Sequence, residues 1–518
     1  MASQHSTELE KNSNKNSNFV QALASYDAAC ADEFLCVQAK MSLTPGGQLS
    51  MIGTLVMLEF IDKMLDSACG FLWGYVLIFA LLGTHLYLTC LLRFPQRHFF
   101  TGLRLYFGGK GEGQISQFSS LMVSLAANVG TGNIVGVAVA VSTGGPGAVF
   151  WCMLTGVFGM ATRYAESLLA IRYRVRDEKG NLIGGPMYAI EKGLKCKWLA
   201  AAFAVVTSIA AFGIGNLTQA NAVSQVLATS ALQVPTWVTG VVMVVLIGAV
   251  LLGGLQGISR VCTALVPTMA IVYVVGCVVI LCANAGFVWP AICHIVDSAF
   301  NPQAATGGFI GSTIMLALQQ GVRRGLFSNE AGLGSSPIVS APAQTPNTVQ
   351  HALVASTGPF WDTVVICSLT GITLTTCIMA HDHITTADGE LLTYASFATL
   401  GGFGSAMLTI SLAAFVISTV LGWSYFGERA LEYLGGRRLV YPYRVLWIIV
   451  AYVGCVIPKS SIVWNFADLA NGLMALPNLI CMVGLSGVLV AETRYYLWEK
   501  RLFEVDKTLL NEESSEKK

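Results

Sequence analysis

The chain has 518 residues, of which 54% are hydrophobic and 11% charged, with a formal net charge of +1 and a mean hydropathy of +0.63. A soluble domain carries about 25% charge, so this composition excludes a soluble globular protein. The near-neutral balance excludes the basic surface that nucleic acid requires.

Residues 1–50 are polar and rich in Asn, Ser and Lys. No basic stretch leads into an apolar core there, so they are not a cleaved signal peptide and are expected to be a disordered tail. Residues 51–69 form an amphipathic segment expected at a membrane surface. From there on, apolar runs follow one another, each long enough to cross about 30 Å of hydrocarbon. Read against their punctuation, they give eleven spans near 70–92, 117–142, 147–172, 198–222, 235–256, 262–288, 306–341, 352–379, 401–425, 441–458 and 466–491. The cysteines inside these runs, such as Cys152, Cys277, Cys282, Cys367 and Cys455, show no CxxC spacing and read as small buried hydrophobes.

The loops carry charge on one side only. Arg93, Arg97, Arg104 and Lys110 follow span one, and Arg174, Arg176, Lys179, Lys192, Lys195 and Lys197 follow span three. Arg260, then Arg429, Arg437 and Arg438, then Arg494, Lys500 and Arg501 follow spans five, nine and eleven. Loops 143–146, 223–234, 289–305 and 380–400 have almost no Lys or Arg. The positive-inside rule makes the basic side cytoplasmic, so the N-terminus is expected outside and the C-terminus inside, which requires an odd number of spans. The exception is 342–351, expected to be cytoplasmic yet without Lys or Arg.

Two segments break helix rules at membrane depth. Leu125-Ala126-Ala127-Asn128-Val129-Gly130-Thr131-Gly132-Asn133-Ile134 places two glycines and two asparagines in mid-span. Irregular backbone is tolerated in a bilayer only where it packs in protein or lines a polar cavity; there, freed N–H groups hold carboxylates and freed carbonyls hold cations. A small-residue packing face is the plainer alternative, but it leaves the asparagines unexplained. The second segment, Gln319 to Pro337, sets Arg323, Arg324 and Glu330 in an apolar stretch. Buried charges of this kind face a bundle interior or water; the plainer alternative, an ordinary cytoplasmic loop between 306–322 and 338–341, would swap the side of every later span and destroy the charge pattern. The two arginines are expected towards the cytoplasmic side, paired with Glu330 or with Glu166.

The breaks open the second and seventh spans, so each begins a set of five. An odd unit inverts its second copy. The expected fold is therefore an all-α polytopic membrane protein of about 11 transmembrane helices: one extra helix, then a 5+5 inverted repeat with two broken helices. The corresponding parts are 1–50, 51–69, an extra helix and loop at 70–116, repeats at 117–300 and 301–495, and a cytoplasmic tail at 496–518.

Other polar residues lie in the spans. Asn216 and Gln219, three apart, share one helix face; they line a cavity or act as glue between helices. Ser418 and Thr419 are hard oxygen donors suited to Na⁺-like ions, or they bond back to their own helix. Asp362 beside Thr363 is a proton relay or a structural acid, with structure the favoured reading. Arg163 and Glu166 are spaced for a local salt bridge.

At these residues the sequence resembles the alanine/glycine:cation symporter family. The matching stretches are Asn128 to Ile134, Gly184-Gly185-Pro186-Met187-Tyr188, Gly215-Asn216 with Gln219, and above all Arg324-Gly325-Leu326-Phe327-Ser328-Asn329-Glu330-Ala331-Gly332-Leu333-Gly334-Ser335. The likeness runs from about residue 70 to 495. It implies a leucine-transporter-like fold and symport of alanine or glycine with Na⁺, or less often H⁺, in the inner membrane, with no catalytic residue and no obligate protein partner. By position in the family pattern, the N–H groups of Thr131 and Gly132 receive the substrate carboxylate, and Gly130 and Asn133 belong to the same substrate site. Asn216, Gln219 and Ser328 contact the substrate, and Phe327 and Trp423 wall a small pocket. Ala126, Val129, Ser418 and Thr419 are the implied Na⁺ ligands. An exchanger or proton-coupled permease is the nearest alternative. A channel fits less well because filters and charged rings need repetition, and no nucleophile–base pair or metal cluster supports an enzyme.

Overall fold

A computed structural model describes residues 49–108, 111–229, 233–302, 313–457 and 460–506. The expected tail at 1–48, residues 306–312 of the seventh span and the C-terminal residues after 506 lie outside these. The chain divides into two units, Met1–Asp66 and Ser67–Lys518.

The structure is helical except for one small hairpin. In chain order the elements are α1 (Leu49–Phe71), α2 (Leu77–Leu91), α3 (Phe99–Arg104), α4 (Gln117–Asn128), α5 (Val137–Gly144) and α6 (Gly147–Arg172). An antiparallel pair, β1 (Val175–Arg176) and β2 (Leu182–Ile183), precedes α7 (Pro186–Gly193), α8 (Lys197–Phe212), α9 (Thr218–Thr229), α10 (Thr236–Leu251), α11 (Gly254–Ala283) and α12 (Ala285–Phe300). Then follow α13 (Ile314–Asn329), α14 (Thr348–Ser356), α15 (Ser368–Ala380), α16 (Leu392–Ala398), α17 (Gly401–Gly435), α18 (Val440–Val456), α19 (Ser460–Gly484) and α20 (Ser486–Thr493).

Among the described residues, seven helices are long and apolar enough to cross a membrane, and eight if the bent pair Gln117–Asn128 and Gly132–Gly144 counts as one span. The bulky side chains on α10, α11 and α18 point outward, among them Val241, Val245, Ile271, Val275, Leu446 and Ile449. The polar side chains of the central helices point inward and are buried, including Asn128, Asn133, Asn216, Gln219, Glu330, Asp362 and Thr419. That inversion of the soluble pattern is what lipid as the outer solvent dictates.

Several span limits differ from those expected. The first apolar helix runs from Phe60 to Leu91 through a wide π-helical turn at Leu72–Val76, rather than starting at residue 70. The fourth continues through a π-turn at Gly213–Leu217 and ends at Thr229, because the glycines widen the helix there instead of stopping it. The segment expected as an irregular loop from 289 is helical to Phe300. The seventh span does not reach 341: α13 stops at Asn329, where Glu330 takes a left-handed φ of 55°. Only a short 3₁₀ turn, Ser336–Val339, forms before Asn347 caps α14 through Val349 N and Gln350 N.

Candidate functional site at two helix breaks

The first break follows from the sequence. Ser116 caps α4 by accepting from Ser119 N, and the helix holds to Asn128, where Val129 turns to an extended ψ of 91°. The chain re-enters a helix at Gly132, bent by 52°. At the break α17 approaches closely: a Cβ on Gly422 would sit 2.9 Å from Ala127 N. This brings Thr419 over the freed carbonyls, and its hydroxyl meets Ala126 O at 3.0 Å and Val129 O at 3.3 Å. Three of the four expected ion ligands therefore share one place. Ser418 is not joined to them by any hydrogen bond; its hydroxyl donates back to Phe415 O at 2.8 Å and rests on Met269 Sδ.

The freed amides also find partners. Gly130 N donates to Asn133 Oδ1 at 2.9 Å, and Thr131 N donates to Gln219 Oε1 at 3.1 Å. Gly130 is tightly enclosed, since a Cβ there would meet Thr419 Oγ1 at 2.5 Å and Gln219 Oε1 at 3.0 Å. Asn216 divides its roles. Its Nδ2 donates to Trp447 O at 2.8 Å, which is glue between helices, while its Oδ1 is buried without a partner.

The second break crosses the first. A Cβ on Gly132 would lie 3.1 Å from Phe327 Cδ1 and 3.4 Å from Ser328 Cα. Asn128 Nδ2 donates to Asn329 O at 2.6 Å. Asp362 joins the two breaks from the π-helical turn Phe360–Cys367: Asn133 Nδ2 donates to its Oδ1 at 2.8 Å, and Ser328 Oγ to its Oδ2 at 2.8 Å. Trp423 lies against Gly215, where no side chain would fit. Phe327 packs tilted against Trp464, with centroids 5.1 Å apart and ring planes 42° apart.

The arginines depart from expectation. Arg323 and Arg324 both pair with Asp468 of α19, at 2.6 and 3.3 Å, and with neither Glu330 nor Glu166. Both lie within α13, on the Ile314 side of the break, whereas Glu330 begins the turn after it. Arg163 makes the expected contact with Glu166, at 3.8 Å, and also donates to Asn329 O at 2.5 Å. Glu166 Oε1 receives Gly332 N at 2.9 Å, Gly334 N at 3.1 Å and Asn478 Nδ2 at 2.7 Å. Asp468 and Asn478 escape the sequence reading; their partners lie more than a hundred residues away, so no local spacing announces them.

Several polar atoms around the crossing are buried and unpaired: Thr131 Oγ1, Asn216 Oδ1, Trp423 Nε1 and Glu330 Oε1. Unmet buried groups are costly and rare, and together they describe a place made for a polar solute.

Residues 58–508 match the model of the sodium:alanine symporter family. The sodium/alanine symporter AgcS of Methanococcus maripaludis is 45% identical over 85% of this chain and 98% of its own length. An uncharacterised transporter of Haemophilus influenzae is 44% identical over 86% of this chain and 98% of its own length, and a probable sodium/glutamine symporter, GlnT of Bacillus subtilis, is 34% identical over 86% and 92%. In fold, the chain resembles the crystal structure of MhsT in complex with L-phenylalanine, with a TM-score of 0.51 at 12% identity, covering 74% of this chain and 99% of that one. The protein is a multi-pass membrane transporter, not an enzyme, and belongs to the sodium:alanine symporter family.

Proposed function

We propose that this protein carries a small neutral amino acid, alanine or glycine, into the cell together with Na⁺, across the inner membrane. The observation that carries this reading is the meeting of Thr419 Oγ1 with Ala126 O and Val129 O at a break in a buried helix. Two carbonyls and a hydroxyl form half of the oxygen shell that a hard cation needs. Next to them, Thr131 N and Gly132 N lie where the positive end of the resumed helix favours a carboxylate. Gln219 Oε1 holds Thr131 N until a substrate carboxylate displaces it. Ser418 completes the ion site after a rotamer change that releases Phe415 O.

The size of the pocket favours small side chains. Trp423 packs on Gly215 and Phe327 on Gly132, and in this reading the two bulky rings wall the site against branched chains. The relative named as a glutamine symporter makes glutamine the natural competitor to test. The arrangement of one extra helix and two inverted sets of five, the N-terminus outside and the C-terminus in the cytoplasm complete the reading. Support comes from the loop charges and from the two breaks crossing at Gly132 and Phe327.

Uptake of labelled alanine and glycine into proteoliposomes decides, with Na⁺ and pH gradients imposed separately. The expected outcome is concentrative uptake driven by inward Na⁺ and unaffected by excess glutamine. Uptake indifferent to a Na⁺ gradient overturns the coupling, and inhibition by glutamine overturns the small-substrate assignment.

A further inference from the structure

Three buried carboxyl groups surround the crossing: Glu166, Glu330 and Asp362. Among the described residues, Arg163 is the cation whose charge acts on all three. If every acid were ionised, three negative charges would face one guanidinium in a low-dielectric interior, at heavy cost. The hydrogen bonds show which acid can relieve this. Asp362 receives donors on both oxygens: Asn133 Nδ2 on one, Ser328 Oγ and Thr363 Oγ1 on the other. Glu166 receives three donors on Oε1, and its Oε2, which makes no hydrogen bond, is held in an ion pair with Arg163 at 3.8 Å. Both patterns belong to ionised groups. Glu330 differs. Ser335 and Ser336 donate to its Oε2 at 2.5 and 2.9 Å, but among the described residues Oε1 has no hydrogen-bond partner and, unlike Glu166 Oε2, no ion pair. Trp423 presents its indole Nε1 to this carboxyl group without completing a hydrogen bond.

We propose that Glu330 is a proton-binding carboxyl group of the transport cycle, protonated on Oε1 in this conformation, whose ionisation draws Trp423 towards it and so reshapes the substrate pocket. A neutral carboxyl tolerates an unmatched oxygen far better than a carboxylate does. An indole N–H can only donate, so it gains a strong acceptor when the proton leaves. Because Trp423 walls the pocket in the carrier reading above, on which this inference rests, the proton and the amino acid are linked through one side chain. Ser336 also donates to Asn128 Oδ1 at 2.9 Å, which connects the same carboxyl group to the first break.

The groups facing Glu330 are few. α6 brings Arg163, with Glu166 one turn on, and α17 brings Trp423; α4 reaches it through Asn128, and its own turn supplies the two serines. His85 of α2 abuts the turn at Gly332 and is bonded to Thr162, so it joins Glu166 and Asp362 among the titratable groups beside the turn.

The test is equilibrium binding of labelled alanine to the purified full-length protein at saturating Na⁺ from pH 5.5 to 9. One linked proton changes the wild-type affinity by up to about tenfold per pH unit along one limb. Glu330→Gln, fixed in the neutral form, should flatten that limb to less than about twofold. Trp423→Phe removes the donor that favours the ionised form, so its limb should move to higher pH. A wild-type limb that survives in Glu330→Gln overturns the proposal and points to another buried group of the crossing, such as Glu166 or Asp362, and a pH-independent wild type overturns it outright. Should Glu330→Gln fail to purify, an unmoved limb in Trp423→Phe overturns the proposal. Loss of Na⁺-dependent alanine binding in the wild type at every pH would instead overturn the carrier reading, and this inference with it.

Discussion

The two breaks solve one problem by opposite means. The first interrupts its helix only over 129–131 and resumes with a bend of 52°. It contains no charge, and its freed groups are met one by one by side chains: Asn133 of its own resumed helix, and Gln219 and Thr419 from other elements. The second abandons the helix over 330–347 apart from one 3₁₀ turn. Left-handed φ angles at Glu330, Gly332 and Gly334 (55°, 93° and 86°) fix its path, and glycine is the residue that takes such angles without strain. Its freed N–H groups go to a carboxylate, Glu166. Charge-assisted bonds of this kind are about twice as strong as neutral ones. The first break is thus held by contacts that a substrate or ion can replace, and the second by contacts that nothing else in the site can supply. The first suits a binding site; the second suits its scaffold.

The largest expected effect tests the scaffold. Glu166→Ala strands two backbone N–H groups, the Asn478 amide and Arg163 in a buried place. Removing one partner of such a cluster costs about 3–5 kcal/mol. The melting temperature in detergent should fall by many degrees, with the folded yield. A melting temperature equal to that of the wild type would show that the second break holds itself together as the first one does.

Gly113→Ala strikes the same scaffold from the other side. The return strand of the second break runs beside residues 112–115, with Gln344 N donating to Ile115 O at 2.8 Å. A Cβ on Gly113 would lie 2.5 Å from Gln344 N and 2.6 Å from Ala343 C. Backbone cannot yield as a side chain does, so overpacking of about 1–3 kcal/mol is expected. Thermal melting checks this too, with alanine affinity per folded molecule little changed.

At the first break the expected loss is of function. Gly130→Ala pushes on Thr419 Oγ1 and Gln219 Oε1, which are the ends of side chains and can move. The fold should survive while Na⁺-driven alanine uptake falls at least about tenfold, which corresponds to 1.4 kcal/mol. Gly136→Ala is the control, since its nearest neighbour would be 3.8 Å away, and it should transport normally. Equal damage from both variants would mean that the crossing tolerates no substitution and that the contrast between the breaks is false.

How much of this the sequence revealed follows the same division. Gly130, Gly132, Asn128 and Asn133 mark the first break because each violates local helix rules within a few residues. The second break was legible as an interruption but not in its extent, because the choice between a resumed helix and an extended return depends on what packs around it. The pairing of Arg323 and Arg324 was assigned to Glu330 or Glu166, the acids nearest in the pattern. Their true partner, Asp468, lies 145 residues from Arg323 and 144 from Arg324, and only the tertiary fold brings it near. Glu166 was read through its i,i+3 neighbour Arg163. That contact exists, but the three donors from Gly332, Gly334 and Asn478 determine what the residue does.

Ser418 and Thr419 give the smallest expected effect and the finest discrimination. Adjacent on α17, they point about 100° apart around the helix, and sequence cannot say which one faces the ion. Thr419 reaches Ala126 O and Val129 O, whereas Ser418 is satisfied by Phe415 O in its own turn. Thr419→Val keeps the shape and removes the hydroxyl, so the Na⁺ concentration for half-maximal uptake should rise about tenfold. Ser418→Ala removes a bond the helix does not need, since back-bonding of this type slightly destabilises a helix. The ion contact that Ser418 gains is offset by the Phe415 O bond it gives up, so the Na⁺ response of the variant should shift by about twofold to fivefold, below that of Thr419→Val. If the two variants shift the Na⁺ response equally, Ser418 turns fully into the site when the ion binds. The first break would then be a place the ion itself finishes building, in still sharper contrast to the second, which is complete without it.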